Sequence, residues 1–444
     1  MNDMTVGSPT RVIIKFTIPV LAANLLQLTY AVVDTRLVGT FLGDHALAAV
    51  GAATVLSSLY IGFFMGIANG FGIITARFFG AKKPDEVKKS FASALILGLF
   101  MAVILVGVNL IFMRPVLGFL NVPENLLADT GEYIRIVVGG MIITMVYDVL
   151  LASARAVGDS LTPLLTLTMS VGLNIAGDIV FLGIFKTGVW GAAAATVISQ
   201  AVTFVFCGIY LMKKYSVFRL GRGDLGLSDR GTVKKMVTTG LSMGLMSSMI
   251  SIGSLVLQTA INLLGPSYIV AQSAARRITE ILMSVFIAVG HTMATYCSQN
   301  AGAERPDRIR EGIAVGYRIT CYWCAAVLVI AWTVSPFLIR MLTGSSDGVM
   351  IDAGALYLKI DTILYVLVAV IFVLRNSLQG LGDQVTPLVS SGIEMGGKII
   401  LAFTLVPALG YMGVILVEPI VWIVMIVPLI AAMRKKKKAW REVQ

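Results

Sequence analysis

Charged residues are scarce in this chain. They make up 13% of its 444 residues, about half the share that soluble domains carry. Hydrophobic residues account for 57% and the mean hydropathy is +0.87. Apolar stretches of about 20 residues, long enough to cross a bilayer as a helix, recur from end to end. The shortage of charge therefore excludes an ordinary soluble protein and predicts a polytopic membrane protein.

Cysteine is also rare, with four in the chain. All four lie within or beside apolar segments, which predicts no disulfide framework: Cys207, Cys297, Cys321 and Cys324. The CxxC spelling at the last two falls on a predicted membrane helix without a second pair. Ordinary helix packing explains it better than a redox or zinc site.

Signatures of enzymes and of ATP-driven machines are missing. The chain contains no Walker A sequence, no HExxH motif and no nucleophile elbow. We therefore predict no enzymatic activity and no cofactor. Transport would have to draw on an ion gradient, with sodium or protons as the coupling ion, or on the gradient of the substrate.

Twelve apolar segments are present, and each is long enough to span a bilayer as a helix. They lie at about residues 14–41, 46–78, 91–112, 127–154, 163–185, 190–213, 236–264, 268–298, 313–340, 353–377, 387–409 and 412–432. Their continuous apolarity excludes the ten-residue alternation of a membrane β-barrel. The predicted fold class is an all-α integral membrane protein.

An internal duplication divides these helices into two halves. The loop GAKKPDEVKK (80–89) returns as GAERPDRIRE (302–311), and RAVGDSLTP (155–163) returns as QGLGDQVTP (379–387). Six helices per half give both halves the same orientation, as in transporters with parallel repeats. We predict two pseudo-symmetric six-helix bundles: an N-terminal lobe (1–213), a linker (214–232), a C-terminal lobe (233–433) and a basic tail (434–444).

Lysine and arginine set the predicted orientation. Most of the 35 basic residues fall in the loops that lie on one side if the N-terminus is cytoplasmic, as the positive-inside rule requires. We predict a multi-pass protein of the cytoplasmic (inner) membrane with both termini cytoplasmic. The RKKKK run at 434–438 fits anionic lipid headgroups better than nucleic acid, because no base-reading module accompanies it.

Polar side chains at bilayer depth indicate function, because a carboxylate there costs about 2.5–3.5 kcal/mol on insertion scales. Asp34, Asp178 and Thr196 lie on three predicted helices, each about 10 Å below the outer surface, and Asn174 lies one turn deeper than Asp178 on the same helix face. Such oxygens suit a sodium ion. They equally suit a proton, since two neighbouring carboxylates repel each other. The alternative is that Asp34 pairs with Arg36 or caps a local kink.

The first predicted helix carries a polar stripe. Asn24, Gln27, Tyr30 and Asp34 fall within about 120° of one another on a helical wheel, and Pro19 below them is a predicted kink site and hinge. We assign Asn24, Gln27, Tyr30 and Asp361 to a substrate cavity.

In the second half, Asp361 has no obvious partner. Glu394 and Lys398 are spaced to form an i,i+4 ion pair, and Glu280 follows Arg276 and Arg277.

These features resemble the multidrug and toxic compound extrusion (MATE) family. The resemblance rests on the order and spacing of PVLAANLLQLTYAVVDTRLVGTFLG (19–43), ALAAVG (46–51), the two GA loops and the VGDSLTP and LGDQVTP turns. It implies an antiporter for cationic or amphipathic compounds. It also implies a cation site at Asp34, Asn174, Asp178 and Thr196, a cavity including Gln27 and Tyr30, and bending at Pro19. Other branches of the family place a glutamate on the seventh helix, where this chain has only Gln258 as a polar candidate.

The resulting hypothesis is a secondary active antiporter that exports cationic or amphipathic small molecules in exchange for sodium or protons. A monomer is expected, with no nucleic-acid partner. A flippase for lipid-linked oligosaccharides and a metabolite exporter are the alternatives. Few basic residues lie within helices, which argues against the flippase. A scaffold or an intramembrane enzyme would need a partner domain or a catalytic cluster.

Overall fold

The computed structural model describes residues 3–119, 123–224 and 226–442, and the regular secondary structure within these ranges is entirely helical. Twelve α-helices follow one another: α1 (Pro9–Gly80), α2 (Pro84–Phe119), α3 (Leu127–Ala156), α4 (Leu161–Asp178), α5 (Val189–Lys214), α6 (Arg230–Asn262), α7 (Pro266–Gly302), α8 (Pro306–Thr343), α9 (Gly348–Ile363), α10 (Tyr365–Gly380), α11 (Val385–Leu409) and α12 (Tyr411–Glu442). A π-helical stretch, Ile179–Ile184, extends α4. The predicted all-α membrane fold is confirmed.

The first helix, α1, contains two membrane spans. Its 72 residues would extend for about 110 Å if straight, against a hydrocarbon core of about 30 Å. The helix breaks at Gly43, where φ is 78° and ψ is −176°. After this break the chain folds back on itself. A Cβ atom added to Gly39 would lie 3.3 Å from Cδ2 of Leu47. The two arms correspond to the first two predicted helices.

One predicted helix is in fact two. The segment predicted at 353–377 forms α9 and α10, which meet at a bend of 54°. The bend falls at Leu364, whose φ of −96° and ψ of 7° leave the helical range. Ten described helices are long and apolar enough to cross a membrane, or eleven if the bent pair counts as one span. The turn at Gly43 supplies the twelfth crossing.

The chain forms two compact units whose bounds differ from the predicted lobes. The first unit contains Ala22–Gly244, and the second contains Met4–Leu21 together with the residues from Leu245 onward. The start of α1 therefore belongs with the C-terminal helices, and the start of α6 with the N-terminal ones. The predicted boundary in the linker did not include this exchange.

Specific contacts hold the N-terminal segment in the second unit. Arg308 donates hydrogen bonds to the carbonyl oxygens of Met4 at 3.1 Å and Gly7 at 2.9 Å. The hydroxyl oxygens of Thr17 and Thr292 lie 2.9 Å apart. Four apolar side chains of this segment join the core of that unit: Met4, Ile13, Phe16 and Val20.

The duplicated turns have the same structure in both units. Asp159 accepts hydrogen bonds from the backbone N–H groups of Leu161 and Thr162 at 3.1 and 3.0 Å. Asp383 accepts one from the backbone N–H of Thr386 at 3.1 Å. Each aspartate thus caps the helix that follows, which explains why the repeat preserves these residues.

Candidate cation site

Three helices of the first unit bring together the four predicted cation-site residues and Tyr30, which was predicted to line the substrate cavity. Tyr30 and Asp34 are one turn apart on α1, Asn174 and Asp178 are one turn apart on α4, and Thr196 lies on α5. The i,i+4 spacing places both members of each pair on one helix face. We call these five residues the acid-pair site.

The Asn174 side chain connects the other members. With its amide nitrogen facing α1, Asn174 donates to the Tyr30 hydroxyl at 2.9 Å and to Asp178 Oδ2 at 3.1 Å. Its amide oxygen then accepts from the Thr196 hydroxyl at 3.2 Å. This orientation satisfies both ends of the amide. Tyr30 in turn donates to Asp34 Oδ1 at 3.4 Å.

The two carboxyl groups form the centre of the site. Asp34 and Asp178 lie close enough for one carboxyl group to hydrogen-bond the other. Asp178 is fully buried, and its Oδ1 atom has no hydrogen-bond partner among the described residues. Two carboxylates can share such a position only when a proton or a cation neutralises them.

The donor atoms fit a small cation. Two carboxylates, a phenol and a hydroxyl converge here and offer oxygen, the ligand atom that hard cations prefer, while the Asn174 amide bonds Tyr30 and Asp178 through its nitrogen. Asp34 and Thr196 are only partly buried, so the site is not sealed. No cluster of three His, Cys, Asp or Glu side chains that could hold a metal occurs in the described part of the chain.

The competing explanation for Asp34 finds no support. Among the ion pairs of the described residues, none joins Asp34 to Arg36. Arg36 is exposed, whereas Asp34 bonds to Tyr30.

One neighbour of the acid-pair site was not predicted from the sequence, Tyr133 on α3. Its side chain is 9% exposed and interacts electrostatically with both Asp34 and Asp178. A tyrosine in an apolar helix gives no signal of its own. The duplication does give one, because Tyr-Ile-Arg-Ile (133–136) returns as Tyr-Leu-Lys-Ile (357–360).

The structure divides the predicted cavity residues between the units. Asn24 and Tyr30 are partly buried and Gln27 is exposed, all in the first unit. Asp361 belongs to the second unit and is fully buried. The four residues therefore belong to both units, and their assignment to one substrate cavity stays a prediction.

The hinge prediction at Pro19 stays a prediction. Pro19 lies inside α1, where the helix continues without a break in its dihedral angles. Proline lacks the N–H that would bond the preceding turn, so α1 is weakened there. The division between the two units falls two residues further on, after Leu21.

The second unit contains a buried ion-pair network. The predicted pair of Lys398 and Glu394 is confirmed at 3.2 Å. Lys398 also contacts Glu418 at 3.2 Å, and Glu394 contacts Arg375 at 3.1 Å. On α7, Arg277 pairs with Glu280 at 3.2 Å near the surface.

The fold and the site together define a multi-pass membrane transporter. The MatE family matches residues 19–180 and 242–404, one match in each half. The chain therefore belongs to the MatE family of transporters.

Similar proteins agree with this assignment. The chain is 28% identical to the probable multidrug resistance protein YoeA of Bacillus subtilis, over 71% of this chain and 69% of the relative. It is 25% identical to the probable multidrug resistance protein YpnP of the same organism, over 87% and 86%. A multidrug resistance MATE family transporter of the MOP superfamily, solved in an outward-facing conformation, shares the fold with a TM-score of 0.91 and 22% identity, over 99% and 98% of the two chains.

Proposed function

We propose that this protein is a secondary active antiporter that exports cationic or amphipathic small molecules in exchange for sodium ions or protons. One observation carries the proposal: Asp34 and Asp178 meet in the first unit, and a buried oxygen of Asp178 has no donor. An acid pair of this kind binds a cation when the site opens to a solution that contains cations. It releases the cation when the surroundings of the site change.

The proposed coupling acts through α1. The helix carries Tyr30 and Asp34 in the first unit, while its residues up to Leu21 belong to the second. Cation binding changes the charge beside Tyr30 and Asp34 and so changes the electrostatic interactions of this part of α1 with α4. Pro19 is where the helix bends most easily. Binding at the acid pair can thus bias the helix that runs from one unit into the other.

Export follows if cation and substrate favour different states. A ligand shifts a conformational equilibrium only by its difference in affinity for the two states. In the proposed cycle, a cation entering from outside loads Asp34 and Asp178 and favours the state with low affinity for substrate. A substrate that binds from the cytoplasm favours the other state.

The substrate class rests on charge and on the relatives. The acid pair attracts positive charge, and both curated relatives carry multidrug resistance in their names. A lipid-linked oligosaccharide flippase is not favoured by these names. We further propose that the protein is a monomer in the inner membrane. Both termini are proposed to be cytoplasmic, because the positive-inside rule gives that orientation.

The test is efflux of a fluorescent organic cation from proteoliposomes under separately imposed sodium and proton gradients. One of the two inward gradients should accelerate efflux, and collapsing it with a matching ionophore should abolish the effect. Efflux that responds to neither gradient, or that requires ATP, would contradict the proposal.

A further inference from the structure

The two units contain equivalent positions because the chain is duplicated. Positive-φ glycines precede corresponding helices, Gly43 with Gly265 and Gly188 with Gly410, each 222 residues apart. α4 and α11 begin 224 residues apart, at Leu161 and Val385. These registers identify the position in the second unit that corresponds to each member of the acid-pair site.

The corresponding residues form the buried ion-pair network. Asn174 corresponds to Lys398 and Thr196 to Glu418. In the first unit, Asn174 and Thr196 hydrogen-bond each other at 3.2 Å. In the second unit, Lys398 and Glu418 form an ion pair at the same distance. Two unrelated pairs thus make the same contact between corresponding helices, α4 with α5 and α11 with α12.

The acid pair itself is absent from the second unit. Asp34 corresponds to Val256 and Asp178 to Ala402. Negative charge comes from other positions, with Glu418 on α12 and Glu394 one turn before Lys398 on α11. The second unit therefore keeps a carboxylate-lined site while exchanging an amide for an ammonium group.

Three further features indicate that the site is built around Lys398. Its side chain is 4% exposed. Gly253 on α6 leaves room for the aliphatic part of the Lys398 side chain, because a Cβ atom added to Gly253 would lie 3.3 Å from Lys398 Cδ. Tyr357, which corresponds to Tyr133, is buried and interacts with Asp361 and Glu418. The tyrosine beside the acid-pair site is thus repeated in the second unit.

A carboxylate remains available in this site. Asp361 is fully buried. Its carboxylate oxygens make no hydrogen bond of ordinary geometry among the described residues, although the Tyr365 hydroxyl interacts with them. Asp361 interacts electrostatically with Glu418 and Lys398. The second unit therefore holds more acidic groups around Lys398 than the lysine bonds directly.

We propose that the second unit contains a latent monovalent-cation site whose occupant is the protein's own Lys398 ammonium group. The lysine takes the place that a sodium ion or proton takes in the acid-pair site, so only the first unit exchanges a cation during transport. The inference uses the proposed acid-pair site as its template. It predicts that removal of the ammonium group opens the second site to sodium.

Lys398→Asn tests this directly, because it restores the residue type of the first unit. All variants carry Asp178→Asn, which disables the acid pair, and thermal unfolding of the full-length protein is measured in sodium chloride and in an equal concentration of choline chloride. We expect Lys398→Asn to lower Tm in choline and sodium to raise it again by several degrees. Lys398→Arg, which keeps the cation, should show no difference between the salts. Adding Glu418→Gln to Lys398→Asn should remove the sodium response.

Each remaining outcome also decides the matter. If Lys398→Asn folds only when purified in sodium, the proposal is supported. Equal Tm values in both salts, a sodium response in Lys398→Arg as large as in Lys398→Asn, or no folded protein in either salt would overturn it. Failure of gradient-driven efflux in the otherwise unmodified protein would refute the antiport proposal without changing these unfolding results.

Discussion

At Asn174 a single amide contacts a phenol, a carboxylate and a hydroxyl. Its bonds to Tyr30, Asp178 and Thr196 cross three helices, all at 2.9–3.2 Å. Each bond orients a group that would otherwise adopt other rotamers. The amide therefore determines how closely the oxygens of the site converge, although it carries no charge itself.

Asn174→Ala should weaken cation binding without removing either carboxylate. The loss of an amide that satisfies buried partners costs about 1–2 kcal/mol, which corresponds to a roughly tenfold higher half-saturating cation concentration. The measurement is cation-dependent efflux in proteoliposomes. Thr168→Ala is the matched control, because Thr168 lies on the same helix, is exposed and bonds only its own helix backbone among the described contacts. Equal half-saturating concentrations for the alanine variant and the unmodified protein would contradict this role.

The sequence predicted which polar residues lie together where their depth in the membrane and their spacing along a helix were enough to place them. Asp34, Asn174, Asp178 and Thr196 are ionisable or polar groups in apolar helices, and common depth indicated that they meet. Asp361 lies in the second unit and Tyr30 in the first, as their places in the sequence predicted, and their assignment to one substrate cavity stays a prediction. Tyr133 was missed because tyrosine is common in membrane helices.

At the scale of elements, the turns that join helices combine capping with charge. Asp159 also accepts from Lys214 at 2.9 Å and from the Tyr215 hydroxyl at 2.7 Å. Burial alone would raise the pKa of the Asp159 carboxyl group, but the hydrogen bonds from Lys214, Thr162 and Tyr215 outweigh burial and lower it. This turn ties the start of α4 to the end of α5.

Asp159→Asn should therefore lower thermal stability in a pH-dependent way. A folded-state pKa below the ordinary value of about 3.9 means that the carboxylate stabilises the fold above that pH and loses its effect as the pH falls through the folded-state pKa. At pH 7 we expect a loss of about 1–3 kcal/mol, seen as a lower Tm, with the difference from the unmodified protein shrinking below about pH 4. Asp383→Asn is the matched control, because Asp383 makes the same cap and no described ion pair joins it. A larger effect from the control would show that the bonds to Lys214 and Tyr215 contribute little.

Helix positions were predictable from hydropathy, whereas bends were not. The turn at Gly43 fell between two predicted helices because Gly43 and Asp44 interrupt the apolar run. The bend at Leu364 fell inside one predicted helix because the residues on both sides of it are equally apolar. A change of backbone direction without a change of polarity leaves no mark in a hydropathy profile.

At the scale of the whole molecule, the duplication in the sequence predicted two units of six crossings, and the structure has two units. The exchange of helix ends between them was not predictable. Residues 4–21 are apolar enough to pack against either half, and only contacts such as those of Arg308 with Met4 and Gly7 determine where they belong. The exchange leaves residues of α1 in both units, and the proposed coupling uses this feature.

The two units of the duplication differ in the side chains at corresponding positions. In the first unit, uncharged side chains surround two acidic groups, for which we propose a cation that enters from outside. In the second, the corresponding helices supply a buried lysine with its own carboxylates. Burial of an ion pair is costly unless it is fully bonded, so this network is expected to serve specificity more than stability.

The proposed antiport depends most on the acid pair, and gradient-driven efflux by Asp34→Asn and Asp178→Asn proteins tests it most directly. Either substitution removes one negative charge while keeping the shape of the side chain, and both variants should bind substrate but lose the acceleration by the coupling gradient. Asp129→Asn, which changes an exposed aspartate of the same unit that pairs with His45, should transport as the unmodified protein does. Full gradient-driven efflux by both acid-pair variants would contradict the account.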